Sequence, residues 1–277
     1  MLLRFWANTI RRRTNTRKMI RNGKTGLFFG AALIIFLAGC SPKANPGDFT
    51  ADETLLIEQA STRTEDEAGF PAGTMRVLTI DNPADSAVLR APSCNLSAKA
   101  LLSDEYDKLC SLMVATVTHP SQDGVGIAGP QVGLNRRVVA VQRFDKEPVM
   151  NASGKMDHPF EVYPNIRIIC LSDSTAYGAE GCLSVPDMRA DVLRSTEVVV
   201  EYADLQQLKE NRLRHLPHAN SDNTQKTNTL RNTRSIRNTR SGSEAVPMKR
   251  DTVSGFTAVI FQHEIDHLEG ILYIDRL

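Results

Sequence analysis

Gln262-His263-Glu264-Ile265-Asp266-His267-Leu268-Glu269-Gly270, near the C-terminus, decides how the rest of the chain is read. It holds two histidines four residues apart. An α-helix turns every 3.6 residues, which puts such a pair on nearly one face. There two neutral imidazoles can grip one divalent cation. Glu264, directly after the first histidine, projects beside that point, where a carboxylate can take a proton from activated water. Phe256, Val259, Ile260, Leu268 and Ile271 recur near helical spacing behind Gly255, as in a buried helix. The His-Glu-x-x-His pattern is short and also arises by chance in helices, so a third ligand decides its meaning. Only ten residues follow His267, and Glu269 points to another helix face. The third ligand is therefore expected upstream.

Two upstream stretches offer chemistry. Glu180-Gly181-Cys182-Leu183-Ser184-Val185-Pro186 places a cysteine between glycine and an apolar residue. Cys182 reads either as a small buried thiol or as a thiolate ligand. Gly124-Val125-Gly126-Ile127-Ala128-Gly129-Pro130-Gln131-Val132-Gly133 is dense in glycine, which permits close backbone approach. A phosphate loop is disfavoured, because no Gly-Lys-Ser/Thr follows and no helix pattern begins there. A loop lying against a substrate backbone, with Gln131 offering an amide donor, fits better.

Between and before these stretches the elements are short. Arg76–Ile80 reads as a β-like run, and Ser97–Val117 as a helix capped by Ser97. Arg137–Phe144 reads as a strand, followed by a polar excursion to Pro159. Phe160–Leu171 reads as extended chain, with Pro164 demanding an edge or a bend. Val192–Tyr202 reads as a further strand. From 205 to 254 Asn, Thr, Arg and Ser dominate, and Arg-Asn-Thr-Arg occurs twice, at 231–234 and 237–240. That composition predicts a solvated, disordered basic insertion.

The N-terminus reads as a targeting segment, residues 1–39. A basic lead (Arg11, Arg12, Arg13, Arg17, Lys18, Arg21, Lys24) precedes an apolar run from Leu27 to Leu37. The run is too short for a membrane span, which needs about 20 residues, and has the length of a secretory signal core. It ends in Leu37-Ala38-Gly39-Cys40, which resembles a bacterial lipobox and makes Cys40 the expected lipidation site. Met19 would give a more usual start. Residues 40–74 read as a polar tether, and the folded domain as 75–277. An extracytoplasmic, membrane-anchored lipoprotein is expected, or a cytoplasmic protein if the lipobox is not used. Cys94, Cys110, Cys170 and Cys182 could then form disulfides. Of 277 residues, 41% are hydrophobic and 23% charged, as in globular proteins. The net charge of +1 gives the whole chain no strong preference for nucleic acid.

Taken in order, the three stretches resemble the three signature motifs of peptide deformylases. Gly124, Gly126, Ala128 and Gln131 match G-x-G-x-A-x-x-Q, residues 180–184 match E-G-C-L-S, and residues 262–267 match Q-H-E-x-D-H. The resemblance covers about residues 75–277 apart from the insertion. It implies an α+β fold of small antiparallel sheets around a central metal-bearing helix, and a monomer. It implies one Fe²⁺, or Zn²⁺ in its place, held by Cys182, His263 and His267 with water as the fourth ligand. It implies removal of the N-formyl group from N-formylmethionyl peptides. Glu264 would be the general base and acid, and Gln131 with the Leu183 N–H the donors to the developing oxyanion. The peptide would pair beside Gly126 and Ile127. By motif position, Asp266 would orient a ligand histidine and Glu180 would pair with Arg194. Gly129 departs from the alanine usual at its position. The lipobox conflicts with a cytosolic substrate, which leaves an exported amidase or peptidase on the same site, or a non-catalytic surface lipoprotein, as alternatives.

Overall fold

In the computed structural model, residues 47–64, 71–151, 154–214 and 245–277 are described. The signal segment, Cys40, the repeated Arg-Asn-Thr-Arg and both His215 and His218 lie outside them. The elements in chain order are α1 (Ala51–Thr62), α2 (Pro83–Leu89), α3 (Ala98–Leu101), α4 (Asp104–Thr118), β1 (Gly126–Ala128), β2 (Val138–Gln142), β3 (Val149–Met150) and β4 (Met156–Asp157). They continue with β5 (Phe160–Pro164), β6 (Arg167–Leu171), β7 (Thr175–Cys182), β8 (Val185–Ser195), β9 (Glu197–Ala203), α5 (Leu205–Arg214), β10 (Met248–Ser254) and α6 (Gly255–Leu268). Short 3₁₀ turns cover Gly129–Val132 and Tyr273–Arg276.

The sheets are antiparallel and small, as expected: β1-β2-β5, β10-β9-β6, and the two hairpins β3-β4 and β7-β8. Helix α6 runs between the two three-stranded sheets. Its Ala258, Ile260, Phe261, Ile265 and Leu268 share one core cluster with Val139 and Val141 of β2, Tyr163 of β5, and Val198 and Val200 of β9. A second cluster joins α1, α3, α4 and the outer side of the first sheet, including Leu109, Met113, Ile127 and Val138. Burying a residue of this kind contributes about 1.5–3 kcal/mol. Walls on both sides thus fix α6, and every residue from Gln262 to Leu268 is buried. Phe256, read as part of its apolar stripe, is instead 53% exposed and rests against Phe144.

Several boundaries move from the expected ones, each for a local reason. The expected helix Ser97–Val117 is two helices. Ser97 caps the first through Ala100 N, as read, and Ser103 caps the second by accepting from Tyr106 N. Arg76–Ile80 joins no ladder; it lies extended, held by Leu78 N to Gln131 O and Ile80 N to Ser184 O. Pro164 ends the edge strand β5, and Asn165 turns the chain in the left-handed region at φ 54°. Asparagine tolerates that conformation, and its side chain bonds both Leu96 N and Leu96 O. The expected strand Val192–Tyr202 is divided at Thr196 between β8 and β9.

Two regions read as unstructured carry elements. Within the expected tether, Thr50 and Glu53 close a capping box at the start of α1, which buries Ile57 and Ala60. Within the expected insertion, α5 buries Leu208, and β10 pairs along its whole length with β9. Residues 215–244, between them, are outside the described set. Cys110, Cys170 and Cys182 are free thiols, so none of the three takes part in the disulfides envisaged for an oxidising compartment.

Candidate metal centre

The helix face carrying His263 and His267 meets the end of β7. The two imidazole rings lie 5.1 Å apart, centroid to centroid, at 72°. Cys182 closes β7 just after a bulge and sets its Sγ 3.2 Å from His267 Nε2. One ligand atom from each of Cys182, His263 and His267 lies within 4.8 Å of the others. No other such grouping occurs among the described residues, and no fourth protein ligand joins this one. Three protein donors of this softness, sulfur and two nitrogens, suit a late first-row cation such as iron or zinc, and three rather than four is the count of a catalytic site.

The surroundings prepare these donors. His263 Nδ1 meets Glu180 Oε2 at 2.8 Å, which leaves Nε2 for the centre. Without a metal, burial opposes charge on His263, yet Cys182 and Glu180 outweigh it and hold the ring's pKa well above the usual imidazole range, so a cation at Nε2 would take the place of a proton there. Burial drives His267 well below that range, and the neighbouring His263 adds to the effect, so His267 presents a neutral donor. These features fit a resident cation, which these three residues would hold.

Glu180 is itself held by Arg194, whose Nε and Nη2 donate to its two oxygens at 2.7 and 2.9 Å. That pairing agrees with the sequence expectation. The Glu180–His263 contact was not foreseen. Strand alternation did not hold its signal, because a bulge between Gly181 and Cys182 breaks the period of two just after Glu180.

The expected role of Asp266 fails. Asp266 accepts from Arg194 Nη1 and, through both oxygens, from Arg276 Nε and Nη2, each at 2.5 Å. It lies one residue before His267, about 100° around the helix from it, and its hydrogen bonds go to the two arginines and not to either ring. Arg194 is thus the cation between two buried carboxylates. Replacing it with methionine leaves Glu180 with His263 alone and Asp266 with Arg276 alone, and breaking this buried ion network is expected to cost about 3–5 kcal/mol, measurable by urea denaturation. Gln262, the first residue of the motif, does no chemistry either. Its amide accepts from Ser195 N and donates to Ser195 O and Ala258 O, which docks α6 on the end of β8.

Gln131 reaches the centre from the 3₁₀ turn. Its Oε1 accepts from Ala128 N at 2.8 Å, and this fixes which way the amide faces. Nε2 then points at Ser184 Oγ, 3.3 Å away, and Cys182 Sγ, 3.5 Å away. Leu183 lies at the turn between β7 and β8, with its side chain on the second core cluster, that of α1, α3 and α4. Gly126 and Ile127 are buried in β1, at the free edge of its sheet. Gly129 has no room for the alanine expected there: a Cβ would lie 2.6 Å from Arg136 O and 2.7 Å from Leu134 O.

Glu264 is 4% exposed, and its Oε2 has no hydrogen-bond partner among the described residues. Burial pushes its carboxyl up to about 7. Gly126 faces it so closely that a Cβ there would sit 2.4 Å from Oε1 and 2.8 Å from Cδ. The carboxylate, the free end of a side chain, would be the group to move. Gly126→Ala is therefore expected to cost more activity than stability: roughly 10²-fold in kcat if the carboxylate shifts by about 1 Å. Steady-state kinetics beside thermal denaturation checks this.

The arrangement has counterparts. A family profile described as Polypeptide deformylase matches residues 75–215 and 243–277. The Peptide deformylase 2 of Gloeobacter violaceus is 34% identical over 190 residues, covering 69% of this chain and 74% of that protein. The Peptide deformylase 2 of Vibrio cholerae is 31% identical over 203 residues, covering 73% and 86%. The Met-Ala-Ser-bound class I type b peptide deformylase of Acinetobacter baumannii is 28% identical, with a TM-score of 0.50 over 74% of this chain and 98% of that one. Since the profile takes in more than half of the sequence, including all three stretches that converge at the centre, the chain belongs to the polypeptide deformylase family of metal-dependent hydrolases.

Proposed function

We infer that this protein hydrolyses the N-formyl group of N-formylmethionyl peptides with one Fe²⁺ or Zn²⁺ held by Cys182, His263 and His267, and that it works outside the cytoplasm on a lipid anchor at Cys40. The approach of Cys182, His263 and His267 to within 4.8 Å, with the Gln131 amide aimed at the same point, carries the reading.

A divalent cation there supplies a Lewis acid that brings the pKa of water towards neutrality. Glu264, buried and with one oxygen unengaged, accepts the proton as water attacks the formyl carbon. Negative charge grows on the formyl oxygen. Gln131 Nε2 and the Leu183 N–H donate to it, and losing one such donor costs about 10²–10³ in rate. The formyl C–N bond then breaks, formate departs with the former carbonyl carbon, and Glu264 returns its proton to the peptide amine. The peptide adds as a strand to the free edge of β1, beside Gly126 and Ile127.

The test supplies purified protein loaded with Fe²⁺ under nitrogen, or with Zn²⁺, with formyl-Met-Ala-Ser and with Met-Ala-Ser. Formate from the first and no cleavage of the second is expected. Free methionine from either peptide would overturn the reading in favour of a peptidase. Fatty-acid labelling with cell fractionation tests the anchor. Label in the membrane fraction, lost in Cys40→Ser, is expected; unlabelled protein in the cytosol would overturn export.

A further inference from the structure

Helix α1 lies upstream of the family-matched region, yet it docks on the back of the turn that carries Gln131. Glu53 connects them. Its carboxylate closes the helix by accepting from Thr50 N, and it accepts from Arg136 Nε and Nη2, both at 2.7 Å. Arg136 Nη2 also donates to Asp48 O at 2.6 Å. This guanidinium is only 5% exposed, so the grip works in low dielectric, where a charge-assisted bidentate pair holds geometry firmly.

The backbone of Arg136 carries the constraint inward. Arg136 O and Leu134 O flank Gly129, the first residue of the 3₁₀ turn, at the two distances that exclude a Cβ there. Leu134 N donates back to Gly129 O at 3.0 Å. At the far end of the same turn, Leu56 of α1 brings its Cδ2 to 3.4 Å from where a Cβ would stand on Gly133. Ile57 and Ala60 anchor the helix in the core cluster that contains Val132 and Leu134. Both ends of the turn are therefore braced from α1, and Gln131 sits between them.

We propose that α1 is a clamp that sets the position of the Gln131 amide, with Glu53 and Leu56 as positioning residues for the reaction. The clamp rests on the oxyanion role given to Gln131 above. Loosening either contact lets the turn relax away from Cys182 and Ser184, and the Gln131 amide moves with it.

Glu53→Gln and Leu56→Ala, in the full metal-loaded chain, test this beside Glu58→Ala. Glu58 is on the same helix but pairs at the surface with Lys108. Both clamp variants are expected to lower kcat for formate release roughly tenfold, since small misplacements of a catalytic donor are costly, with KM little changed. Glu58→Ala leaves kcat as it was. In a Gln131→Ala background the effect of either clamp variant on kcat disappears. A kcat loss of equal size in both backgrounds, or a lower Tm with kcat unchanged, would reduce α1 to a stability element and overturn the proposal. The side-chain amide resonance of Gln131 gives a readout independent of turnover. It shifts in both clamp variants and not in Glu58→Ala; an unmoved resonance defeats the clamp even if the protein has no activity on formyl peptides.

Discussion

Replacing Glu264 with glutamine is expected to lower kcat for deformylation by about 10²–10⁴-fold, the usual contribution of a positioned general acid and base, while the metal content stays unchanged. Glutamine keeps the shape that packs against Gly126 but can neither accept nor return a proton. The same change should stabilise the metal-free protein, and the sign follows from burial. The native carboxyl is pushed up to about 7, above its ordinary value, chiefly by desolvation. An acid whose folded pKa is raised opposes folding wherever the unfolded chain would ionise it. The penalty is complete above about pH 7 and absent below the ordinary carboxylate range. It amounts to on the order of 3 kcal/mol. Urea denaturation of chelator-treated protein should therefore find Glu264→Gln more stable than wild type at pH 8 and equal to it near pH 4. A variant with full turnover would remove Glu264 from the reaction; equal stability at both pH values would mean that the buried carboxylate costs nothing.

The parts of this site that could be read from the sequence are those fixed by short-range geometry. His263 and His267 share a helix face because of their spacing alone. Cys182 and Gln131 came from order and motif, and the fold brings Cys182 to the two rings and the Gln131 amide to Cys182. The failures are instructive in the same terms. Asp266 was given to a histidine by proximity in sequence, though its helical phase points it to Arg194 and Arg276. Glu180 was given only to Arg194, and its second partner, His263, comes from a helix 83 residues away. The segment 51–62 read as tether because a helix docked by two buried residues, Ile57 and Ala60, has a mostly polar sequence. Met248–Ser254 read as insertion for a similar reason. It is an edge strand paired only with β9, with one residue, Val253, fully inside. Composition reports average burial, and elements that bury a single stripe fall below it.

Cys182→Ala tests the centre itself. Two imidazoles from one helix leave a cation with only two protein donors, whereas catalytic sites of this type use three. The variant is therefore expected to lose its metal on dialysis and, with it, formate release down to the uncatalysed background. Metal analysis by plasma mass spectrometry gives the first quantity directly. Thermal denaturation gives an independent one: a ligand that binds only the folded state at 100 times its Kd adds about 2.7 kcal/mol. The Tm of wild type should thus fall when chelator is added, while that of Cys182→Ala should not respond. The substitution itself should be mild in the metal-free fold. The thiol is half-buried, and its neighbours, His267 Nε2 at 3.2 Å, Ser184 N at 3.4 Å and Gln131 Nε2 at 3.5 Å, make only weak sulfur contacts. Gln131 keeps Ala128 N and Ser184 Oγ as partners when the sulfur is gone. A large loss of stability in chelated protein would make Cys182 a packing residue. Metal retained at one ion per chain in the variant would place the third donor elsewhere and take the proposed chemistry down with it.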